Sequence, residues 1–278
     1  MILRRKTKIM NTILEETKFI MNKYHIKANK SLGQNFLIKE EVVEKIVQSS
    51  KIEIGPGLGT LAKELLEKAG KVICIELDKK MLQILEDRFS LYENFEVLNQ
   101  DVLKVDLKNL IQEDRKKSSR KTVKVVANLP YYITTPIIMK LLEEELPLDS
   151  ITVMIQKEVA NRLIAVPGEK ETGAITYSVY YYAEAEGILE VPNDSFLPEP
   201  EVTSKVIKLN IRKEPPVKVT NKQKMFQIIK CAFMQRRKTL LNALVNTKIF
   251  NNKEQGIIIL SQLGLDHNVR PEKLKIKD

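Results

Sequence analysis

Short apolar segments alternate with stretches of helical periodicity along residues 51–157. The apolar segments are KIEIG, KVICIEL, FEVLNQD, TVKVVANLP and SITVMIQ. Between them, apolar residues recur at helical spacing, which predicts helices over Leu58–Ala69, Lys79–Phe89 and, approximately, Pro136–Glu145. Strands that alternate with helices are typical of a doubly wound, mostly parallel sheet, so the pattern predicts an α/β fold.

Two further regions follow this alternation. The segments GAITYSVYYYAEAEGILEV and SKVIKLNIR have strand character and predict antiparallel edge strands of the same sheet. After the proline-rich connector EPPVKV, the chain has helical character from Lys222 to Leu263. We therefore predict that residues 1–212 hold an N-terminal helix and the α/β domain, and that residues 213–278 form a smaller, basic, all-helical domain.

The composition is that of a globular protein that acts inside the cell. The chain has 278 residues, 43% of them hydrophobic, which is enough for a sizeable core. No apolar run approaches the roughly 18 residues of a membrane span, and charges interrupt the start, MILRRKTKIMNTILEETKF, unlike a signal peptide. We expect a cytoplasmic protein with no membrane partner.

Neither a metal cluster nor a disulfide framework is predicted. Cys74 and Cys231 lie far apart in the sequence, and the two histidines, His25 and His267, are isolated. We interpret both cysteines as reduced thiols.

The net charge of +10 is concentrated at the two ends of the chain. Residues 1–50 hold 10 Lys and Arg against 5 Asp and Glu, residues 51–212 hold 22 against 26, and residues 213–278 hold 14 against 5. Lys and Arg that neutralise phosphates supply most nonspecific nucleic-acid affinity, so the basic ends indicate a polyanionic partner. Ordinary solvated lysines explain the charge alone equally well.

A glycine-rich turn, EIGPGLG, follows the first apolar segment and opens a predicted helix. The glycines Gly55, Gly57 and Gly59 allow a tight turn and a close approach of the backbone to a ligand. A dinucleotide fingerprint needs its third glycine at Thr60, which argues against a nicotinamide oxidoreductase. The spacing E-x-G-x-G-x-G instead resembles the first motif of class I S-adenosylmethionine methyltransferases.

The next two predicted strands each end in an acidic residue. Glu76 ends KVICIE about twenty residues after the glycines, where an acid can accept hydrogen bonds from both ribose hydroxyls. Asp101 follows FEVLNQ and is placed for the amino group of the same nucleoside's adenine. Open α/β sheets bind ligands at the carboxyl ends of their strands, so glycine, Glu and Asp at three successive ends predict a nucleoside site.

The fourth strand ends in VANLPYYI, which resembles the (Asn/Asp)-Pro-Pro-(Tyr/Phe) motif of methyltransferases that act on exocyclic nitrogens. An adenine amino nitrogen is a poor nucleophile because its lone pair is delocalised into the ring. The Asn128 side-chain oxygen and the Leu129 carbonyl can accept its two N–H groups, while Pro130 stiffens the turn without a competing donor. Tyr131 offers a face for stacking, and we interpret Tyr132 as a packing residue.

Further segments resemble one family along most of the chain. Lys30–Leu37 (KSLGQNFL), QKEVANRLIAVPGEKETGAIT, FLPEPEVTSKV and AFMQRRKTLLNAL occur in the order of the KsgA/RsmA family of ribosomal RNA small-subunit adenine N6,N6-dimethyltransferases. The resemblance implies the class I S-adenosylmethionine-dependent fold, Rossmann-like, with a seven-stranded, mostly parallel sheet and a C-terminal helical domain. Before Ile52, the connection through Ser49 and Ser50 is shorter than usual, and the sequence ends at RPEKLKIKD, before the family's usual last helix.

The resemblance also implies the residues of the site. Those for the methyl donor S-adenosylmethionine are Asn35, Leu37, Gly55, Gly57, Glu76, Asp101 and Asn128. Those for the reaction are Asn128, Leu129, Pro130 and Tyr131. The target adenine is expected between Tyr131 and Phe196, and RNA phosphates are expected to face Arg236, Arg237 and Lys238.

The implied activity is direct methyl transfer, without metal or covalent intermediate, to N6 of two adjacent adenines in a hairpin loop near the 3′ end of 16S ribosomal RNA. The implied partner is the assembling 30S particle, and the protein is expected to be a monomer. Two alternatives remain open. One is a macrolide-resistance dimethyltransferase of large-subunit RNA, although those more often carry Asn-Ile-Pro-Tyr. The other is a largely non-catalytic assembly factor.

Overall fold

The computed structural model describes residues 12–47, 52–117, 122–235 and 237–278. The short connection at Ser49 and Ser50 and most of the basic segment RKKSSRK lie outside the described residues. Within the described residues, no helix combines the length and the apolar character needed to cross a membrane.

A seven-stranded sheet organises the fold. Its strands are β2 (Ile52–Ile54), β3 (Val72–Glu76), β4 (Phe95–Asn99), β5 (Lys124–Asn128), β6 (Ser150–Gln156), β7 (Ala183–Val191) and β9 (Ser204–Ile211), in the spatial order β4-β3-β2-β5-β6-β9-β7. The five strands from β2 to β6 pair in parallel. The predicted doubly wound, mostly parallel sheet is therefore confirmed.

The strand order reverses beside β2, which pairs with β3 on one side and with β5 on the other. Such a reversal opens a crevice at the carboxyl ends of the strands, where doubly wound sheets bind their ligands. Two short strands, β1 (Phe36–Leu37) and β8 (Phe196–Leu197), form a second, antiparallel sheet. This small sheet holds the chain just before the helix that begins at Glu40.

The helices between the strands match the predicted periodicity. The first six helices are α1 (Ile13–Lys23), α2 (Glu40–Ile46), α3 (Thr60–Lys68), α4 (Lys79–Phe89), α5 (Leu107–Lys117) and α6 (Thr134–Glu143). The α4 helix has the predicted bounds because Asp78 caps it, accepting a hydrogen bond from the backbone of Lys80 at 2.9 Å. Its buried face consists of Met81, Ile84, Leu85 and Phe89.

The strand prediction over GAITYSVYYY is wrong. Residues Ala174–Tyr182 form helix α8, which follows α7 (Lys157–Ile164), and only the second half of the predicted segment is strand β7. Thr176 explains the helix start: its Oγ1 accepts the Gly173 N–H at 2.9 Å and donates to the Arg162 carbonyl at 2.7 Å. Burial of Tyr177, Val179 and other side chains then outweighs their strand preference.

The chain divides into two compact units. The first contains residues 12–157 and 188–206, and the second contains residues 158–187 and 207–278. The second unit includes α9 (Lys222–Phe233), α10 (Leu240–Asn246) and α11 (Lys253–Gln262), which pack on a cluster around Leu240, Leu244 and Leu260. The boundary after residue 212 stays a prediction, since residues 158–187 group with the C-terminal helices.

Candidate active site

The carboxyl ends of β2, β3, β4 and β5 border one cleft in the first unit. It encloses about 1080 Å³, part of it open to solvent. The residues predicted for the cofactor all line it: Asn35, Leu37, Gly55, Gly57, Glu76, Asp101 and Asn128. Leu129, Pro130 and Tyr131 line it as well. The fold therefore brings residues around Asn35 into the same cleft as residues around Asn128, almost a hundred positions later in the sequence.

In the glycine-rich turn, the backbone of Gly55 and Gly57 lines the cleft with no side chain in between. Gly55, Gly57 and Gly59 all have positive φ, at 67°, 56° and 83°. A β-carbon at Gly55 would meet nothing within 4 Å, whereas one at Gly59 would lie 2.5 Å from the Phe89 ring. Gly55 thus leaves room for a ligand, and Gly59 leaves room for the packing of α3 on α4.

Glu76 is a buried carboxylate held by two backbone donors. Its Oε2 accepts the Gly57 N–H at 3.1 Å and its Oε1 accepts the Asp78 N–H at 2.8 Å. Burial raises the pKa of Glu76, and these hydrogen bonds from Asp78 and Gly57 oppose the shift. A carboxylate has about four acceptor positions, so further hydroxyl donors can still bind to it.

Asp101 caps the 3₁₀ turn Val102–Lys104. Its Oδ1 accepts the Leu103 N–H at 3.0 Å, which fixes the side chain at the edge of the cleft. The capping role and a ligand role are compatible, because the second carboxylate oxygen is not used in the cap.

The segment KSLGQNFL forms a loop over the cleft. Asn29 caps its 3₁₀ turn, with Oδ1 accepting the Ser31 N–H at 3.0 Å. Gln34 joins the loop to the end of β3: its Nε2 donates to Asp78 at 2.9 Å, and its Oε1 accepts the Asn29 N–H at 2.9 Å. Gln34 belongs to the KSLGQNFL segment, but its role in positioning the loop was not predicted from the sequence, since nothing in the sequence pairs it with Asp78.

Asn128 is oriented by the same loop. Its Nδ2 donates to the Asn35 carbonyl at 3.1 Å, and the Asn35 side chain in turn donates to the Gly33 carbonyl at 3.3 Å. Because the nitrogen is committed to Asn35, the side-chain oxygen of Asn128 is the end of the amide that remains as an acceptor. Among the described residues, no donor bonds to that oxygen.

The turn after Asn128 is fixed from both sides. Leu129 is buried, and its N–H donates to the Met154 carbonyl of β6 at 3.1 Å. The Pro130 carbonyl accepts from the Ile133 N–H at 3.2 Å and from the Thr134 hydroxyl at 3.1 Å. The residues that carry the predicted chemistry therefore lie on a rigid strand end and a hydrogen-bonded turn.

Tyr131 is half-buried at the cleft and its hydroxyl is bonded. The Tyr131 Oη lies 2.7 Å from Oγ of Ser204, a fully buried residue that begins β9. Burial raises the pKa of Tyr131, and the hydrogen bond to Ser204 opposes the shift. Sequence reasoning assigned no role to Ser204, because 73 residues separate the partners and only the fold joins them.

The interpretation of Tyr132 as a packing residue is wrong. Its side chain is 59% exposed, although it lines the same cleft as Tyr131. Both tyrosines lie in the turn between β5 and α6, where the Tyr131 hydroxyl reaches Ser204 and the Tyr132 side chain reaches solvent. An exposed ring beside a candidate active site is a surface available to a ligand.

Phe196 is not part of the cleft lining in the structure. Its side chain is 2% exposed and lies in the core cluster with Leu37, the residue with which it pairs between β8 and β1. A stacking role for Phe196 stays a prediction, since the ring is buried in the described geometry.

Two of the basic residues predicted to face RNA, Arg237 and Lys238, belong to the second unit. Arg237 and Lys238 are exposed in the segment between α9 and α10. Arg236 lies outside the described residues. Their exposure is compatible with either phosphate contacts or an ordinary solvated surface.

Glu53 is a buried acid at the cleft that received no role from the sequence. It is 1% exposed on β2, and Cys74 Sγ on β3 lies 3.8 Å from its Oε2. Burial raises the pKa of Glu53 to about 8 and raises that of Cys74 as well. The carboxyl is therefore largely protonated near neutral pH, which removes a negative charge from beneath the cleft.

Comparisons with known proteins agree on one family. The model of the family described as ribosomal RNA adenine dimethylase matches residues 25–277. The chain is 48% identical over 270 residues to ribosomal RNA small subunit methyltransferase A of Alkaliphilus metalliredigens, covering 95% of this chain and 93% of that relative. It is 45% identical over 269 residues to the protein of that name from Clostridioides difficile, with 94% and 92% covered.

Two solved structures have similar folds. A dimethyladenosine transferase from Plasmodium falciparum superposes with a TM-score of 0.69 at 25% identity, covering 87% of this chain and 94% of that one. The 23S rRNA methyltransferase ErmE superposes with a TM-score of 0.62 at 23% identity, covering 86% and 96%. At that identity the second likeness concerns the fold alone.

Proposed function

The chain belongs to the ribosomal RNA adenine dimethylase family, and from that premise we propose that it methylates N6 of two adjacent adenines in a hairpin loop near the 3′ end of 16S ribosomal RNA. The methyl donor of this enzyme is S-adenosylmethionine. The small-subunit assignment is supported by relatives that carry the small-subunit name at 48% and 45% identity. The observation that carries the chemistry is the oriented Asn128 amide at the end of β5.

The cleft fits a nucleoside cofactor. Gly55 leaves open space where a side chain would stand, and the buried Glu76 retains acceptor positions beyond its two backbone bonds. We assign the ribose hydroxyls to Glu76 and the adenine amino group to Asp101. Asn35, Leu37, Gly55 and Gly57 complete the cofactor contacts. When bound, S-adenosylmethionine supplies a methyl group attached to a positively charged sulfur.

Asn128 and Leu129 act on the target amino group. The side-chain oxygen of Asn128 and the Leu129 carbonyl accept its two N–H bonds, which directs the nitrogen lone pair out of the plane of the ring. As the nitrogen takes up the methyl group it becomes positive, so both oxygens stabilise the transition state more than the ground state. One N–H proton is then lost to solvent, which leaves a neutral methylated amine. In the second transfer the nitrogen has one N–H left, and one of the two oxygens accepts it. No strong base is needed, since positioning supplies most of the effect.

Tyr131 holds the target ring. Base stacking on an aromatic side chain contributes about 1 to 3 kcal/mol in nucleic-acid sites. The bond to Ser204 fixes the Tyr131 ring before substrate arrives, which lowers the entropy lost on binding. Adenine inside a helical stack cannot reach this turn, so the substrate is an unstacked base in a loop or end of structured RNA.

The partner we propose is the assembling 30S particle, bound by a monomer of this enzyme. Residues 213–278 hold 14 Lys and Arg against 5 Asp and Glu, and Arg237 and Lys238 are exposed there. Their charge supports contacts with RNA phosphates. A cytoplasmic location stays a prediction.

Mass spectrometry of RNA nucleosides tests the choice of substrate. The full chain and S-adenosylmethionine are incubated with unmethylated small-subunit particles and, separately, with protein-free large-subunit RNA. We expect dimethyladenosine at two adjacent positions of the small-subunit RNA and none in the large-subunit RNA. Modification of the large-subunit RNA alone would replace the proposal by the macrolide-resistance activity, and no modification of either would favour the assembly-factor alternative.

A further inference from the structure

Tyr132 presents an aromatic ring at the mouth of the cleft. The side chain is 59% exposed and lines the cleft together with Tyr131 and Pro130. Among the described residues, Tyr132 has no hydrogen-bond, ion-pair or ring partner. An exposed aromatic face of this kind is a surface on which a nucleobase can stack.

The ring stands on a rigid support. The turn that carries it is closed by the Ile133 N–H and the Thr134 hydroxyl, both bonded to the Pro130 carbonyl. Its edge lies against the KSLGQNFL loop, since a β-carbon at Gly33 would be 3.5 Å from both Cδ1 and Cε1 of Tyr132. Gly33 has a φ of 61° and no side chain, so the loop approaches the ring closely. The hydrogen-bonded turn therefore holds the backbone of Tyr132 in place before a flat ligand stacks on the ring, which lowers the cost of ordering the site.

The two consecutive tyrosines face different environments. Tyr131 is half-buried and bonded to Ser204, whereas Tyr132 is mostly exposed. A target base that enters the cleft remains covalently joined to its neighbours in the RNA strand. Withdrawing one base from a stack exposes the faces of the neighbouring bases, and these then need a new apolar contact.

The geometry points to Tyr132 as the stacking platform for a nucleobase that flanks the target adenine. The inference rests on the proposed function, in which Tyr131 carries the target base. The ligand class is an unpaired base of the RNA substrate, recognised by its π-face and therefore with little dependence on base identity. Tyr132 binds the substrate strand and takes no part in the transfer itself.

The test compares RNA affinity with cofactor affinity in variants of the full chain. RNA dissociation constants are measured by filter binding with small-subunit particles in the presence of S-adenosylhomocysteine, and cofactor binding is measured by calorimetry. The variants are Tyr132→Ala, Tyr132→Phe and Tyr132→Leu. The matched control is Phe19→Ala, which removes a ring that is 52% exposed on α1 and does not line the cleft.

We expect Tyr132→Ala to weaken RNA binding by about five-fold or more, the effect of losing one stacked base. Tyr132→Leu should behave like Tyr132→Ala, whereas Tyr132→Phe should bind like the unmutated protein, because the ring is kept. Cofactor affinity should stay within about two-fold in all three variants. Phe19→Ala should change neither affinity.

A fluorescent base gives an independent signature. Once the methylated adenine has been mapped, 2-aminopurine is placed next to it in a hairpin RNA, and stacking on Tyr132 should quench its fluorescence in the unmutated complex but not with Tyr132→Ala. Unchanged RNA affinity in Tyr132→Ala, an equal loss in Phe19→Ala, or a parallel loss of cofactor affinity would each overturn the inference. If the unmutated protein binds RNA without methylating it, the proposed function is overturned. The RNA affinity of Tyr132→Ala relative to the unmutated protein then still tests the role of Tyr132.

Discussion

At the scale of single residues, the candidate site depends on buried or half-buried polar side chains whose partners are distant in sequence. Hydrogen bonds orient these side chains: Asn128 donates to the Asn35 carbonyl, Tyr131 bonds to the Ser204 hydroxyl, and Glu76 accepts from the backbone of Gly57. Each contact leaves a defined acceptor or ring face directed at the cleft. Preorganisation of this kind is what transition-state stabilisation by fixed dipoles requires.

The bond between Tyr131 and Ser204 can be tested by a double-mutant cycle. A net hydrogen bond contributes about 0.5 to 1.5 kcal/mol, so Tyr131→Phe and Ser204→Ala should each slow single-turnover methyl transfer by about two- to ten-fold. The double variant should be no slower than the slower single variant, because both remove one contact. Additive losses would show that Ser204 affects the enzyme by another route, and cofactor affinity serves as the control.

Glu53 predicts a pH dependence of stability. Its pKa in the folded protein is about 8 against an ordinary value of 4.5. Between these values the folded state holds a proton that the unfolded state has lost, so this group makes the free energy of unfolding fall as the pH rises, by at most about 1.4 kcal/mol per pH unit.

Glutamine cannot lose that proton. Urea unfolding of the unmutated protein and of Glu53→Gln between pH 5 and pH 9 should therefore show a smaller fall for the variant. The matched control is Glu67→Gln, which removes a carboxylate at an exposed position of α3. Parallel curves for the unmutated protein and Glu53→Gln would contradict the assignment.

At the scale of secondary-structure elements, the parallel sheet places the chemistry. Strands β2 to β5 end side by side, so residues from four separate strand ends meet without any local sequence signal that links them. The short β1–β8 sheet fixes the loop that carries Asn35. The glycine-rich turn connects β2 to α3. It contains Gly55, which faces the space assigned to a ligand, and Gly59, which allows α3 to pack on α4.

Two alanine substitutions in this turn should have different effects. Gly59→Ala places a β-carbon 2.5 Å from Phe89 at a φ of 83°, which should destabilise the protein by about 2 to 4 kcal/mol through crowding and strain. Gly55→Ala meets no atom within 4 Å and should cost only about 1 to 2 kcal/mol of strain, while it fills space assigned to the cofactor.

Urea unfolding and cofactor titration separate the two roles. Gly59→Ala should lose more stability, and Gly55→Ala should lose more cofactor affinity relative to its loss of stability. Equal stability losses, together with unchanged cofactor affinity in Gly55→Ala, would contradict this division.

Much of the fold could be predicted from sequence where the signals are local. The bounds of α4 follow from the Asp78 cap and the spacing of Met81, Leu85 and Phe89. The segment at α8 could not be predicted, because Tyr and Val favour strands locally and the helix depends on burial and on the bond of Thr176 to Arg162. Likewise, the strand ends predicted the cleft, whereas Ser204 and the exposure of Tyr132 depend on contacts that only the folded chain creates.

At the scale of the whole molecule, the candidate active site and the exposed basic residues Arg237 and Lys238 belong to different compact units. The cleft lies in the first unit, and the exposed Arg237 and Lys238 lie in the second. In the proposed function, charge on the second unit supplies affinity that depends on salt, while the cleft supplies selection of the base. The two contributions can therefore be measured separately.

Removing Arg237 and Lys238 should weaken RNA binding without changing the chemical step. The double variant Arg237→Gln/Lys238→Gln should bind particles more weakly at moderate salt, with a salt slope about one to two units shallower, because each phosphate contact contributes somewhat less than one unit. The single-turnover rate at saturating RNA should be unchanged. Lys253→Gln, an exposed position in the same unit, is the control. An unaltered slope would show that these two residues are ordinary surface charges.

In the proposed mechanism, the oriented amide of Asn128 at the end of β5 activates the adenine nitrogen. The most direct measurement is single-turnover methyl transfer to saturating small-subunit particles by Asn128→Ala, with cofactor affinity titrated in parallel. We predict that cofactor binding stays measurable while transfer slows by about 10²- to 10³-fold, as for loss of one preorganised transition-state contact. Transfer near the unmutated rate would contradict the role of Asn128 and the mechanism built on it.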